Sequence, residues 1–572
     1  MTADLTNTIL SLYSQGLFQA ALDEVKALPP SLADDPRMAI IAGQCLYKLG
    51  HAEAAADYYV RAAERLGGEG AQLRKLAYDL YKNTGNREKA VALAEHVLQD
   101  DPRHLEAALL RRKRLFELAM LDELKLANDA AARAIAADDE FAISCEMPMD
   151  ALYWCDDESM LARLSNQEKS AVSPQIRLAR RTKPHVYGDK IRIGYLSGDF
   201  TSNHAVMVNL QGVLERHNRN RFEIILYCYT KQAKIDRDNG SRARMGTIKR
   251  IADLSTQAAG DLIRSDGIDI LVDLQGHTQD ARIDLVNSGL SPIQVAWLGF
   301  PCTGTGIDCD YVIGDPIVTP DSSKPFYHEK LCRLPETYEP NDNINRPLPP
   351  PAPRTVLGLP EDKFIFASFN NIRKISPQTA DAWLSIFREV PDSVMCLLCG
   401  QENVRDNLRG YFTRQGLSAD RLIFAPPLAY ASHLARVQAV DLVLDSFPYC
   451  GHTTTSDCLW AGVPVLALKG RSFASRVSES LLSALDIPEL VAPTVEAYIA
   501  QALDLARNPS RLLALRERIA ANRHTTPLFD TDRFTHHLED AYEMMVARAK
   551  AGLEPDHIDV PARPPTVSPL AF

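Results

Sequence analysis

Val440-Asp441-Leu442-Val443-Leu444-Asp445 and, shortly after it, Gly451-His452-Thr453-Thr454-Thr455-Ser456-Asp457-Cys458-Leu459-Trp460-Ala461-Gly462-Val463-Pro464 decide how the chain is read. The first run is apolar and alternating, the pattern of a buried parallel strand. The second is a Gly-, Thr- and Ser-rich loop running into a segment with helix-starting character. At such a junction backbone N–H groups are free and the helix adds its positive dipole end, so the site favours a phosphate. Asp457 falls about one turn into that helix, where a carboxylate can accept hydrogen bonds from a ribose diol. The same residues also suit an ordinary capped helix, since Thr and Asp are preferred N-caps.

The flanking sequence chooses between these readings. Phe364–Phe369, Val394–Leu398, Leu422–Phe424 and Val463–Leu468 read as further strands, separated by helical stretches. Upstream, Arg346-Pro347-Leu348-Pro349-Pro350-Pro351-Ala352-Pro353 is a stiff linker. Before it a second set alternates: strands at Lys190–Ser197, Phe222–Tyr227, Ile268–Leu274 and Ile293–Leu298, with helices at Val206–His217 and Ala258–Arg264. Two such sets predict two doubly wound, Rossmann-like α/β lobes with a cleft between them. Chemistry in such sheets gathers beyond the strand C-terminal ends, where Asn203-His204, Gln275-Gly276-His277-Thr278 and Leu298-Gly299-Phe300-Pro301 lie. His204 suits a proton shuttle because imidazole titrates near neutrality, although loop histidines also serve as structural hydrogen-bonding groups. Thr303-Gly304-Thr305-Gly306 lacks the spacing of a dinucleotide fingerprint, so no such cofactor is expected.

Residues 1–140 carry almost no strand signal and are dense in strong helix formers. Gly16, Gly50 and Gly85 stand 34 and 35 residues apart, each followed five residues later by an alanine (Ala21, Ala55, Ala90). That period resembles the tetratricopeptide repeat, whose stacked helix pairs form a concave surface suited to a peptide or that merely brace the next domain. A fourth unit at Leu105–Ala136 lacks the turn glycine. Residues 141–187, with Pro148 and Pro174 as breaks, read as a helical adaptor and linker.

The chain has 572 residues, a net charge of −11 and 46% hydrophobic residues. That length implies several domains, and the charge makes general nucleic-acid binding unsuited. No run is apolar enough to span a membrane, and Met1-Thr2-Ala3-Asp4-Leu5 lacks a secretory pattern, so a cytoplasmic location is expected. The 11 cysteines are odd in number and scattered, which argues against a disulfide framework and a zinc site.

Phe369-Asn370-Asn371 with Lys374, His433 and Arg436 ahead of Asp445, then Gly451-His452-Thr453-Thr454 with Asp457 and Leu459-Trp460-Ala461-Gly462, resemble the donor-binding core of the protein O-linked N-acetylglucosamine transferases, bacterial and SPINDLY-related types included. Ile191–Tyr195 with Asn203-His204, Trp297-Leu298-Gly299 with Pro301, and Pro555-Asp556-His557 extend the likeness over about residues 188–560. The resemblance implies a GT-B glycosyltransferase: a first catalytic lobe at 188–345, a second at 355–550 that binds the nucleotide sugar, and a tail at 551–572. It implies an inverting enzyme that moves N-acetylglucosamine from UDP-GlcNAc to Ser or Thr of a protein presented by the repeats, with no metal and no other cofactor.

By resemblance, Lys374 contacts the diphosphate, where an ammonium offsets the charge that develops as UDP leaves. Gly451, His452, Thr453 and Thr454 form the phosphate loop and Asp457 binds the ribose. His433 and Arg436 lie beside the uracil and its ribose, and Asn371 contacts the donor. His204 and Asp261 handle the acceptor proton. Two positions depart from animal members: Tyr430 replaces a lysine, and Ser265 stands near the place of a histidine, leaving the donor phosphate or water as other proton routes. SPINDLY-type relatives, read as using GDP-fucose, lack a histidine at the place of His452 and carry a longer acid at that of Asp457, which favours UDP here. A repeat scaffold without turnover is the reading from another class, and retention of Lys374, His452 and Asp457 opposes it.

Overall fold

The computed structural model describes residues 2–29, 32, 34–165, 172, 174–202, 204–238 and 240–564. The chain divides into two compact units, 1–115 with 131–146, and 116–130 with 147–572.

The first unit is all-helical, built from Thr2–Ser14, Phe18–Lys26, Pro36–Lys48, Ala52–Leu66, Ala71–Asn83 and Arg87–Asp100 with the helices that follow. Its repeat glycines are required by backbone geometry rather than by crowding. Gly16, Gly50 and Gly85 have φ of +77°, +86° and +78°, and a Cβ at any of them meets nothing within 4 Å. Ala119, in the turn between Leu105–Glu117 and Leu121–Ala136, takes the same left-handed conformation at φ +49°. The fourth unit thus keeps the turn without the glycine, at the steric cost a Cβ brings there. Ala21, Ala55 and Ala90 are buried where helices meet.

The second unit holds two parallel sheets. The first contains β1 (Ile191–Ser197), β2 (Phe222–Cys228), β3 (Thr247–Arg250), β4 (Ile270–Asp273), β5 (Ile293–Ala296), β6 (Tyr311–Gly314), β7 (Lys330–Arg333) and, from the end of the chain, β14 (Ile558–Asp559). The second contains β8 (Phe364–Ser368), β9 (Ser393–Leu398), β10 (Leu422–Ala425), β11 (Leu442–Leu444), β12 (Val465–Leu468) and β13 (Val491–Ala492). The orders are β3-β2-β1-β4-β5-β6-β7-β14 and β10-β9-β8-β11-β12-β13. Each sheet therefore starts at an inner strand, winds outward, and reverses beside its first strand, leaving a crevice between β1 and β4 and another between β8 and β11. The two-lobed architecture expected from sequence is present. β3, β6, β7, β13 and β14, each of four residues or fewer, are strands that the sequence reading does not mark.

Pro148 and Pro174 do not break helices but begin them, opening Pro148–Ala151 and Pro174–Thr182, because proline lacks only an N–H that the first turn leaves unbonded. Helix Pro174–Thr182 docks on the first lobe through buried Arg180, whose guanidinium reaches Asp308 and Asp310 at 2.9 Å each. Helix Thr531–Lys550, which the sequence reading assigns to the second lobe, packs on the first. Glu539 accepts from Asn218 N at 2.7 Å, and Tyr542 meets Tyr195 OH at 3.1 Å. Cys396-Leu397-Leu398-Cys399 has a C-x-x-C spacing that the cysteine count alone passes over, and both thiols are free and buried at the end of β9. Among the described residues no helix is long and apolar enough to cross a membrane.

Candidate active site

The second crevice is assembled around one carboxylate. β8 and β11 are neighbours in register, Phe366 opposite Leu442, so Asn370 and Asp445 leave the sheet side by side. Asn370 Nδ2 donates to Asp445 Oδ1 at 2.8 Å and to Ser446 Oγ at 2.9 Å. Gly451 N donates to the same Oδ1 at 2.7 Å, and Ser478 Oγ to Oδ2 at 2.6 Å. Asp445 is 1% exposed, so these bonds replace the water it has lost and fold loop 446–452 back over the strand ends. Gly451 is fixed by packing: a Cβ there would stand 2.3 Å from Thr455 Oγ1.

That loop delivers helix Thr453–Trp460 with no side chain capping its N-terminus. The first N–H groups, on Thr453 and Thr454, have no intrahelical acceptor and carry the positive dipole end. His452, the preceding residue, places Nε2 3.1 Å from the Ala474 carbonyl. A carbonyl only accepts, so the ring proton sits on Nε2 and Nδ1 keeps a lone pair; burial and nearby Lys374 hold this histidine neutral.

Lys374 closes the short turn Ile372–Lys374 after β8. Its Nζ donates to Cys450 O at 2.8 Å and lies 3.8 Å above the Tyr449 ring. Burial lowers its pKa to about 8 against the support of neighbouring Asp445, so at neutral pH it is an ammonium pointed at the loop that starts the helix. Asn371 is exposed and spends its side-chain oxygen on Arg373 N at 3.1 Å, capping this turn. Arg373 pairs with Glu117 at 2.7 Å.

One turn into the helix, buried Asp457 accepts from Tyr430 OH at 2.6 Å and faces Arg346 Nε at 3.9 Å. The tyrosine that departs from the animal pattern thus holds the Asp457 carboxylate. Arg346 is no mere linker residue: it is buried, and donates to Ser456 Oγ at 2.8 Å and to Asn209 Oδ1. Asn209 Nδ2 in turn reaches Thr453 Oγ1 at 3.3 Å and Glu339 Oε1 at 2.7 Å. Asn209, Arg346 and Glu339 join the site without any local signal in the sequence. Beside them, Arg436 Nη2 donates to His433 Nδ1 at 2.7 Å, and His433 stands edge-on to Phe369 with centroids 5.3 Å apart. Burial brings the His433 pKa down to about 4. With Nδ1 accepting, the neutral ring carries its proton on Nε2, a donor suited to a base edge or a hydroxyl.

In the first crevice, Gln275 Nε2 bridges Ser197 Oγ at 3.1 Å and Asp199 Oδ2 at 2.6 Å, and Lys234 Nζ holds Asp199 Oδ1 at 2.8 Å. His204 precedes helix Ala205–Arg216, with Nε2 3.6 Å from Asp199 and Nδ1 buried without a partner. Burial lowers its pKa, so it is neutral near pH 7. Asn203 lies outside the described residues. Asp261 is not brought to this set: it is exposed on helix Thr256–Ser265 and pairs with Arg264 at 2.7 Å and Gln257 at 3.0 Å on the same helix. Three-residue spacing makes it a surface ion pair with Arg264. Among the described residues, no group of three or more His, Cys, Asp or Glu is placed to hold a metal ion.

The sequence profile of glycosyl transferase family 41 matches residues 168–346 and 351–538. A protein of Arabidopsis thaliana named "Probable UDP-N-acetylglucosamine--peptide N-acetylglucosaminyltransferase SEC" is 35% identical over 379 residues, 65% of this chain and 38% of that one. One of Petunia hybrida with the same enzyme name and the designation SPINDLY is 31% identical over 367 residues, again 38% of its length. The chain thus spans about two fifths of these curated relatives. A mutant O-GlcNAc transferase of Thermobaculum terrenum, solved as a structure, aligns over 96% of this chain and 98% of that one with a TM-score of 0.64 and 26% identity.

Proposed function

From the premise that the chain belongs to glycosyl transferase family 41, we propose that it is an inverting transferase moving N-acetylglucosamine from UDP-GlcNAc to Ser or Thr hydroxyls of proteins. One observation carries this reading: a lysine ammonium and an uncapped helix N-terminus converge on one loop at the switch point of the second lobe. A diphosphate bound there meets positive charge from both. As the acceptor oxygen attacks the anomeric carbon, the bond to the diphosphate breaks and its electron pair leaves with UDP. Lys374 and the Thr453 and Thr454 amides stabilise that charge, the contribution a divalent ion makes in other transferases.

In the same reading Asp457, oriented by Tyr430, accepts from the ribose. His433 and Arg436, against Phe369, hold the base, and Asn371 stands at the rim of the donor site. Neutral His204 takes the hydroxyl proton, with the donor phosphate or water as the other route. The printed name of the T. terrenum protein and those of the curated relatives support GlcNAc as the sugar, and the helical repeats supply the surface for a polypeptide acceptor.

The test is UDP release by the purified chain with UDP-GlcNAc and a Ser/Thr-containing protein lysate, with EDTA present, followed by mass spectrometry of the products. HexNAc increments on Ser or Thr, insensitive to the chelator, support the reading. Tighter calorimetric binding of GDP than of UDP would move the assignment to fucose.

A further inference from the structure

Loop 334–346, which follows β7 in the first lobe, carries a carboxyl that the roles above leave unused. Glu339 is 2% exposed. Its Oε1 accepts from Asn209 Nδ2 at 2.7 Å, and its Oε2 is buried with no hydrogen-bond partner. Asn209 Nδ2 also donates to Thr453 Oγ1 at 3.3 Å, so this carboxyl sits beside the first residue of helix Thr453–Trp460. The loop is held firmly: Tyr338 N donates to Asp315 Oδ2 at 2.9 Å, Trp297 Nε1 to Tyr338 O at 3.1 Å, and Asn341 Nδ2 to Glu339 O at 2.7 Å.

An ionised Glu339 would leave a buried, charged oxygen unpaired and oppose any anion at the helix start. Lys374 and Arg346 face it and favour its charge, as does the Asn209 amide, while Asp457 opposes it. Asp445, Cys450 and His452 also lie near Lys374. Burial outweighs the favourable partners and pushes Glu339 up to about 8, while Lys374 comes down to about 8. At pH 7 the pair is a neutral acid beside an ammonium.

We propose that Glu339 is a binding residue held as a neutral carboxylic acid, whose Oε2–H donates a hydrogen bond from the first lobe to the diphosphate held by the second. The inference rests on the diphosphate reading of the site. Its sign is fixed: an arriving anion raises the pKa of both groups, so binding near pH 8 takes up protons, and affinity falls as pH rises through 8 and both are lost as donors. The diphosphate is then gripped from both lobes at once.

Calorimetry of UDP binding to the full-length chain at pH 8, in two buffers of different ionisation enthalpy, counts those protons. Wild type is expected to take up protons from both groups, and Glu339→Gln, an amide donor that cannot ionise, to take up about half as many. Glu339→Ala is expected to bind UDP about fivefold more weakly, the loss of one hydrogen bond, with Gln recovering most of that loss and showing a shallower fall in affinity from pH 7 to 9. Proton uptake by Glu339→Gln equal to that of wild type overturns the proposal even where the Ala variant fails to fold, and so does wild-type affinity in a folded Ala variant. Absence of UDP binding by wild type itself would instead remove the diphosphate reading, and this inference with it.

Discussion

The two lobes share a strand order and a clamp yet present opposite chemistry at their crevices. In each, a side-chain amide ties the ends of the two strands that flank the switch point: Gln275 to Ser197 and Asp199 in the first, Asn370 to Asp445 and Ser446 in the second. In the first lobe the clamped carboxylate is matched by Lys234, Asp273 at the end of β4 is buried with its pKa pushed up to about 6, and a histidine precedes the next helix. In the second, the carboxylate is turned inward onto the Gly451 amide, which frees the outer face for Lys374 and the bare helix start. Topology therefore supplies a crevice, and the direction in which one aspartate spends its hydrogen bonds decides its sign.

Three substitutions test that contrast. Lys374→Ala should remove the cation of the second crevice and lower kcat by about 10²- to 10³-fold, the cost of losing one preorganised stabiliser of developing charge. Wild-type kcat/KM, which reports the free enzyme, should also fall above pH 8 as the ammonium deprotonates, and a profile flat to pH 10 would break the assignment. His204→Ala acts in the first crevice and should lower kcat by about 10²-fold through lost proton transfer while leaving UDP affinity nearly unchanged. Equal losses in both quantities would mean that the division of labour between lobes is wrong. Asp261→Asn, on the surface helix, should change kcat/KM by less than about twofold, as expected of an exposed ion pair.

Much of this was legible because it is local. Strand, loop and helix start at 440–460 lie within one stretch, and Gly451, the threonines after it and Asp457 sit at fixed offsets inside it. Tyr430 could be seen as a departure but not understood, since only the folded chain shows its hydroxyl on Asp457. Asn209, Glu339 and Arg346 left no trace, because each reaches its partner across more than a hundred residues and no periodicity records such a pairing. Asp261 was read from its position in the family pattern, and the folded chain sets it on an exposed helix face against the arginine three residues on. The proline-rich run was read as a spacer, yet Arg346 at its head is buried between the lobes.

Helix Thr531–Lys550 and strand β14 return the end of the polypeptide to the sheet where β1 began. In topological terms the second lobe is an insertion between β7 and that returning helix, and it is joined at two seams instead of one. A fragment cut before residue 531 would strip the cover from Tyr195, His217 and Trp297, so truncation from the C-terminus should unravel the first lobe before the second. Excising the insert and splicing its two seams is the edit that would leave the host sheet whole.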